Sequence, residues 1–122
     1  MKCASTIFAL GSLGCILAAS PALAHAHLEG ETPSDRSIVR ASPSSLVLDF
    51  TEALNIAFSG IDIIDATGQQ ISHGKPALTN GDRNLTVPLQ SELGPGSYTV
   101  KWHVLATDGH KTEGSYSFTV KP

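Results

Sequence analysis

Apolar and polar residues alternate along much of the chain. In Ser45–Phe50, Leu46, Leu48 and Phe50 fall on one side of an extended backbone, with Val47 and Asp49 on the other. GIDIID (Gly60–Asp65) repeats the pattern and runs into the turn signal ATGQQ, and NLTVPL is a shorter run reaching Pro88. After the turn LGPGS, SYTVKWHVL aligns Tyr98, Val100, Trp102 and Val104. GSYSFTV then aligns Tyr116, Phe118 and Val120 against Ser115, Ser117 and Thr119. Side chains alternate between the faces of a strand, so a period of two marks strands with one buried face. The Gly, Pro, Asn and Asp residues between these runs are turn formers. No segment carries a sustained helical stripe, and TEALNIAF (Thr51–Phe58) suits a single turn or an irregular loop. Short strands at frequent intervals predict an all-β domain, a small Greek-key β-barrel or an immunoglobulin-like β-sandwich.

The first 24 residues depart from this pattern. Lys2 precedes an apolar run from about Ile7 to Ala19, Ser20 and Pro21 break it, and Ala22-Leu23-Ala24 offers small residues where a signal peptidase reads. This order predicts a cleaved secretory signal peptide at 1–24 and a single domain at 25–122. The apolar run is shorter than the roughly 20 residues a membrane-spanning helix needs, and no basic cluster follows it. A lipoprotein cut before Cys15, within SLGC, is a competing exit that would leave the free amine on Cys15. Ser12 stands there where an aliphatic residue is usual.

Removal of the leader changes the available chemistry. Both cysteines (Cys3 and Cys15) and the only methionine (Met1) leave with it. The mature chain then has no disulfide, no thiolate and no thioether, although an exported protein enters a compartment that permits disulfides. The formal net charge of −3 and the lack of a basic run argue against nucleic acid or an anionic membrane as partner. There is no nucleophile-elbow serine, phosphate-binding glycine loop or HExxH motif, and the acidic residues are scattered singly. The chemistry that remains is that of five histidines: His25, His27, His73, His103 and His110.

Cleavage after Ala24 makes His25 the first residue. Its α-amino nitrogen and ring Nδ1 can then close a chelate on one metal ion. Their ordinary pKa values, near 8 and about 6.5, leave few protons to displace at neutral pH. With one more imidazole this gives the planar nitrogen set that Cu(II) prefers, and the lack of sulfur disfavours Cu(I). TDGHKTEG (Thr107–Gly114) supplies candidates for the rest. Asp108 and His110 are two apart, so an extended backbone points them the same way, and Gly109 leaves room for another backbone to approach. The Asp108 carboxylate can ligate, or it can fix the His110 tautomer by accepting the other ring N–H. The same Asp-Gly pair is also a turn former.

His27 offers a different arrangement, the amino-terminal copper motif, in which deprotonated amides and a third-position histidine complete a square. That motif needs a flexible N-terminus. If AHLEGETP is the first strand instead, its amides belong to a ladder, and His27 is an additional ligand or a neighbour. His103 falls on the face opposite Trp102 and is expected to be solvated or paired across strands. His73, in SHGKP, is expected in an exposed loop.

Three blocks carry a resemblance to a known family: HAHLEGETPSDRSIV after the cut, LVLDFTEALNIAFSGIDIID in the middle, and LGPGSYTVKWHVLATDGHKTEGSYSFTVK at the end. With its Pro-Gly-x-Tyr-x-Val-x-Trp and Asp-Gly-His-x-x-x-Gly motifs, the chain resembles the copper resistance protein CopC family, including its small YobA-like members. The resemblance implies a periplasmic Greek-key β-barrel close to an immunoglobulin-like sandwich that binds one Cu(II). Catalysis would need an open coordination position and a substrate surface, neither of which can be read here, so no enzyme is expected. It implies His25, Asp108 and His110 as ligands, Glu52 of the FTE segment as an acceptor beside the metal, and an inner-membrane partner of the CopD type. The methionine-rich loop that holds Cu(I) in some members has no counterpart here, so that site is expected to be absent. A histidine-brace copper oxidase of the polysaccharide-monooxygenase kind and a metal-free interaction sandwich are the alternatives. The low aromatic content, 6%, speaks against a flat glycan-binding face.

Overall fold

The computed structural model describes residues 26–122. Residues 1–24, expected to be a signal peptide, and His25 lie outside them. The described chain forms β1 (Leu28–Thr32), β2 (Ser37–Val39), β3 (Ser45–Phe50), β4 (Gly60–Asp65), β5 (Gln70–Ile71), β6 (Ala77–Thr79), β7 (Asn84–Pro88), β8 (Gly96–Leu105) and β9 (Lys111–Val120). One 3-10 turn, Ile56–Phe58, is capped by the Asn55 carboxamide oxygen, which accepts from the Ala57 N–H at 3.0 Å. It occupies the stretch expected to hold a single turn.

The strands build two sheets, ordered β1-β3-β7-β6 and β2-β9-β8-β4-β5. Neighbours are antiparallel except β2 on β9, which is parallel. Each sheet keeps two edges, so the all-β expectation is met in its sandwich form rather than as a closed barrel. The alternation places the side chains as expected. Leu46, Leu48 and Phe50 of one sheet and Ile63, Val100 and Phe118 of the other are at most 2% exposed and share one core. Burying such side chains stabilises by about 1.5–3 kcal/mol each, and the described residues contain no cysteine.

The longest element is the β8–β9 hairpin, paired from Gly96↔Val120 to Leu105↔Lys111. It also joins the two sequence motifs. Trp102 stands directly opposite Gly114, and its ring meets Phe50 of the facing sheet edge-on, with centroids 5.2 Å apart at 72°. The indole covers the place a side chain at 114 would take: a Cβ there would lie 2.6 Å from Trp102 Cζ2. At the other end of β8 the Tyr98 hydroxyl donates to the Gly94 carbonyl at 2.7 Å, tying the LGPGS turn to the strand that follows it, as in a tyrosine corner.

His73 is not in an exposed loop. It is half-buried and bridges to Leu89, with Nδ1 2.7 Å from the Gly74 carbonyl oxygen and Nε2 3.1 Å from that of Ile61. The ring thus ties the β5–β6 connection to β4, and the backbone of His73 bridges to the chain leaving β7. The sequence offered only SHGKP, whose Gly and Pro read as a loop.

Candidate metal centre

The hairpin closes through Ala106–His110 at one end of the sandwich. Ala106 N–H donates to the His110 carbonyl and Gly109 N–H to the Ala106 carbonyl, each at 2.9 Å. His110 N–H donates to Asp108 Oδ1, also at 2.9 Å, so the aspartate side chain completes a local turn. Gly109 has φ +95°, a conformation that costs other residues about 1–2 kcal/mol. Among the described residues no atom lies within 4 Å of the Cβ it lacks. Glycine is required here for backbone conformation. Asp108 and His110 come together through a turn rather than an extended strand.

The turn is fixed from below. Leu54 bridges to Ala106, Thr107 N–H donates to the Ala53 carbonyl at 3.0 Å, and Asn55 N–H donates to the Leu105 carbonyl at 2.8 Å. On this support His110 Nδ1 lies 3.2 Å from Asp108 Oδ1, with the His110 side chain 52% and the Asp108 side chain 34% exposed. With the proton on Nδ1 facing the carboxylate, the imidazole lone pair is on Nε2. That is the usual way a carboxylate prepares a histidine for a metal.

The start of the described chain is tied to the same end. Ala26 is fully buried, and its carbonyl accepts from Thr112 Oγ1 at 2.8 Å. Thr112 is two residues beyond His110. His27 N–H donates to Thr51 Oγ1 at 2.9 Å, and its carbonyl accepts from Thr51 N–H at 3.0 Å. Leu28 then opens β1 opposite Phe50. The amino-terminal copper motif would need the His27 amide to give up the proton that it donates to Thr51. The geometry favours the strand alternative, with the His27 side chain exposed.

Glu52 is exposed and lies between Thr51, which holds His27, and Leu54, which bridges to the turn. His103 is exposed and faces Glu113 across the hairpin, its ring lying over Gly60. This agrees with the expected polar cross-strand position. Among the described residues no group of three His, Cys, Asp or Glu is placed to hold a metal ion. Asp108 and His110 form a pair, and His25 lies outside the described residues. No helix among the described residues is long and apolar enough to cross a membrane.

Thr51, Thr112 and the buried methyl of Ala26 escaped the sequence reading. Thr112 did carry a signal, because it shares the inward phase of Tyr116, Phe118 and Val120. A hydroxyl at an inward-facing position needs a partner.

Comparison with known proteins agrees with this architecture. Residues 28–121 match the model of the CopC domain. Protein YobA of Escherichia coli strain K12 is 40% identical over 116 residues, covering 93% of each chain. Copper resistance protein C of Pseudomonas syringae pv. tomato is 32% identical over 122 residues, covering 95% of this chain and 93% of its own. The crystal structure of CopC from Methylosinus trichosporium OB3b superposes with a TM-score of 0.73 at 39% identity, over 80% of this chain and 95% of that one. By the family match over residues 28–121 and similarity over nearly its whole length, the chain belongs to the CopC family, whose named members include copper resistance proteins.

Proposed function

We propose that export removes residues 1–24 and that the domain 25–122 binds one Cu(II) ion in the periplasm, buffering or carrying it. The His25 amine and Nδ1 form one arm of the site, a histidine brace, and His110 supplies the facing imidazole. Asp108 belongs to the ligand set, and its carboxylate leaves Nδ1 of His110 to join the ion. Glu52 is the acceptor beside the metal. His27 contributes, if it contributes a donor, only through its ring, since its amide is engaged with Thr51. No substrate is chemically changed. The carried ion passes to an inner-membrane partner of the CopD type.

The single observation that carries this reading is the docking of Ala26. That residue is one peptide bond from His25, and it is bound to Thr112, two residues past His110. The donor chemistry also fits: among the mature chain's side chains there are imidazoles and carboxylates but no sulfur, a set that suits Cu(II) over Cu(I).

The test begins with protein exported and processed by a bacterial host, its first residue read by mass spectrometry as His25. Added Cu(II) is expected to give visible d–d absorption that saturates at one equivalent. His110→Ala should weaken binding about tenfold or more, equivalent to ~1.4 kcal/mol. A mature chain that gives no d–d band, or one indifferent to His110→Ala, would sink the proposal.

A further inference from the structure

We infer that Thr112, together with Thr51, is a positioning residue that sets copper affinity by aiming the N-terminus. The inference rests on the histidine-brace reading and deepens it. Both polar atoms of one peptide unit are gripped: the Ala26 carbonyl by Thr112 Oγ1 at 2.8 Å and the His27 N–H by Thr51 Oγ1 at 2.9 Å. The two hydroxyls come from different parts of the sandwich, Thr112 from β9 and Thr51 from the chain just beyond β3. A peptide unit is planar and includes the Cα atoms on both sides. Holding its oxygen and its nitrogen therefore fixes the plane and the Ala26 Cα with it. The buried Ala26 methyl limits rotation out of that arrangement.

Terminal residues are poorly ordered unless tied down. A chelate built on a terminal amine would lose its advantage if the amine could wander from the facing imidazole. The clamp anchors the chain one residue after the amine, and one of its two jaws is on the strand that begins immediately after His110. Thr112 therefore couples the two arms of the site without touching the ion. A methyl in place of the hydroxyl keeps the shape of the side chain and removes only the hydrogen bond.

The experiment compares Cu(II) affinity, by competition with a chromogenic chelator, and the electron paramagnetic resonance spectrum of the copper protein. Each is measured for the processed wild type, Thr112→Val, Thr112→Ser and Thr51→Val, and again with one extra residue before His25. Denaturation midpoints confirm that each variant is folded. Groups that orient metal ligands change affinity by about 10- to 100-fold, so Thr112→Val should weaken binding by about tenfold or more and alter the spectrum. Thr51→Val should act in the same direction, and Thr112→Ser should restore both affinity and spectrum. In the extended protein the loss from Thr112→Val should largely vanish, because there the amine no longer contributes. A merely structural threonine would lower both starting forms alike, and that result overturns the inference. Wild-type affinity and spectrum in Thr112→Val overturn it as well, while leaving the brace reading intact if extension still weakens binding. If extension changes nothing in the wild type, the brace reading falls and the inference falls with it.

Discussion

Replacing Gly114 by alanine is expected to cost about 3 kcal/mol, the upper end of the usual range for forcing extra volume against a packed side chain. The added Cβ would lie 2.6 Å from Cζ2, 2.9 Å from Cε2 and 3.2 Å from Nε1 of Trp102. None of these atoms is the free end of a flexible chain. They belong to a rigid ring that is 9% exposed and rests edge-on against Phe50. Relief requires the indole to tilt into Phe50 or the β8–β9 pairing to open, and either disturbs the contact between the sheets. A domain of this size has only about 5–15 kcal/mol of stability in total, so the loss is a large share. Trp102 is the only tryptophan, and its fluorescence therefore reports both the unfolding midpoint in urea and the exposure of the ring before unfolding. A midpoint equal to that of the wild type, with unchanged emission, would show that the ring can yield without cost.

The two glycines of Asp-Gly-His-x-x-x-Gly thus do separate work. Gly109 supplies a positive φ in open space, and Gly114 supplies the absence of a side chain under an aromatic ring. From the sequence they look alike. Backbone conformation leaves a local trace, the Asp-Gly pair, whereas the space under Trp102 depends on a cross-strand register set by the whole hairpin.

The same division runs through the rest of the molecule. β3, β4, β7, β8 and β9 were legible because each has one face in the core, and a buried face imposes a period of two. β2, β5 and β6 are three, two and three residues long, too short to display a period, and their pairing comes from neighbours already in place. Asp108 and His110 were legible as residue types, and the Asp-Gly pair was legible as a turn former, but whether the pair met across that turn or along an extended strand was not. The placement of His73 depends on the Ile61 carbonyl twelve residues away, and that of Thr112 on Ala26, 86 residues away. Distances of that kind in sequence leave no local pattern. In Thr112 the only mark is a polar residue in an apolar phase, and in Thr51 there is none.

One extra residue before His25 is expected to lower Cu(II) affinity by roughly 10²–10⁴-fold, the usual advantage of joining two binding groups in one chelate. The extension turns the terminal amine into an amide, whose nitrogen lone pair is delocalised into the carbonyl and whose proton a metal does not displace cheaply. The His25 ring would remain, but as a single donor on a free arm, while Asp108 and His110 stay as the turn holds them. The two forms should also differ in their pH response. A terminal amine has an ordinary pKa of about 7.7–8.0, so below that range each unit of falling pH makes the proton about ten times more competitive with copper. Affinity of the processed protein should therefore fall more steeply from pH 8 to pH 6 than that of the extended one, because only the processed protein must deprotonate an amine. Isothermal titration in two buffers of different ionisation enthalpy measures the protons released, and the processed form should release more at pH 6.5. Equal affinities and equal proton release in the two forms would mean that the amine is not a ligand. Under the proposed cleavage after Ala24, the uncleaved chain carries 24 residues before His25, so it should bind copper as weakly as the extended protein does, and export should switch the site on.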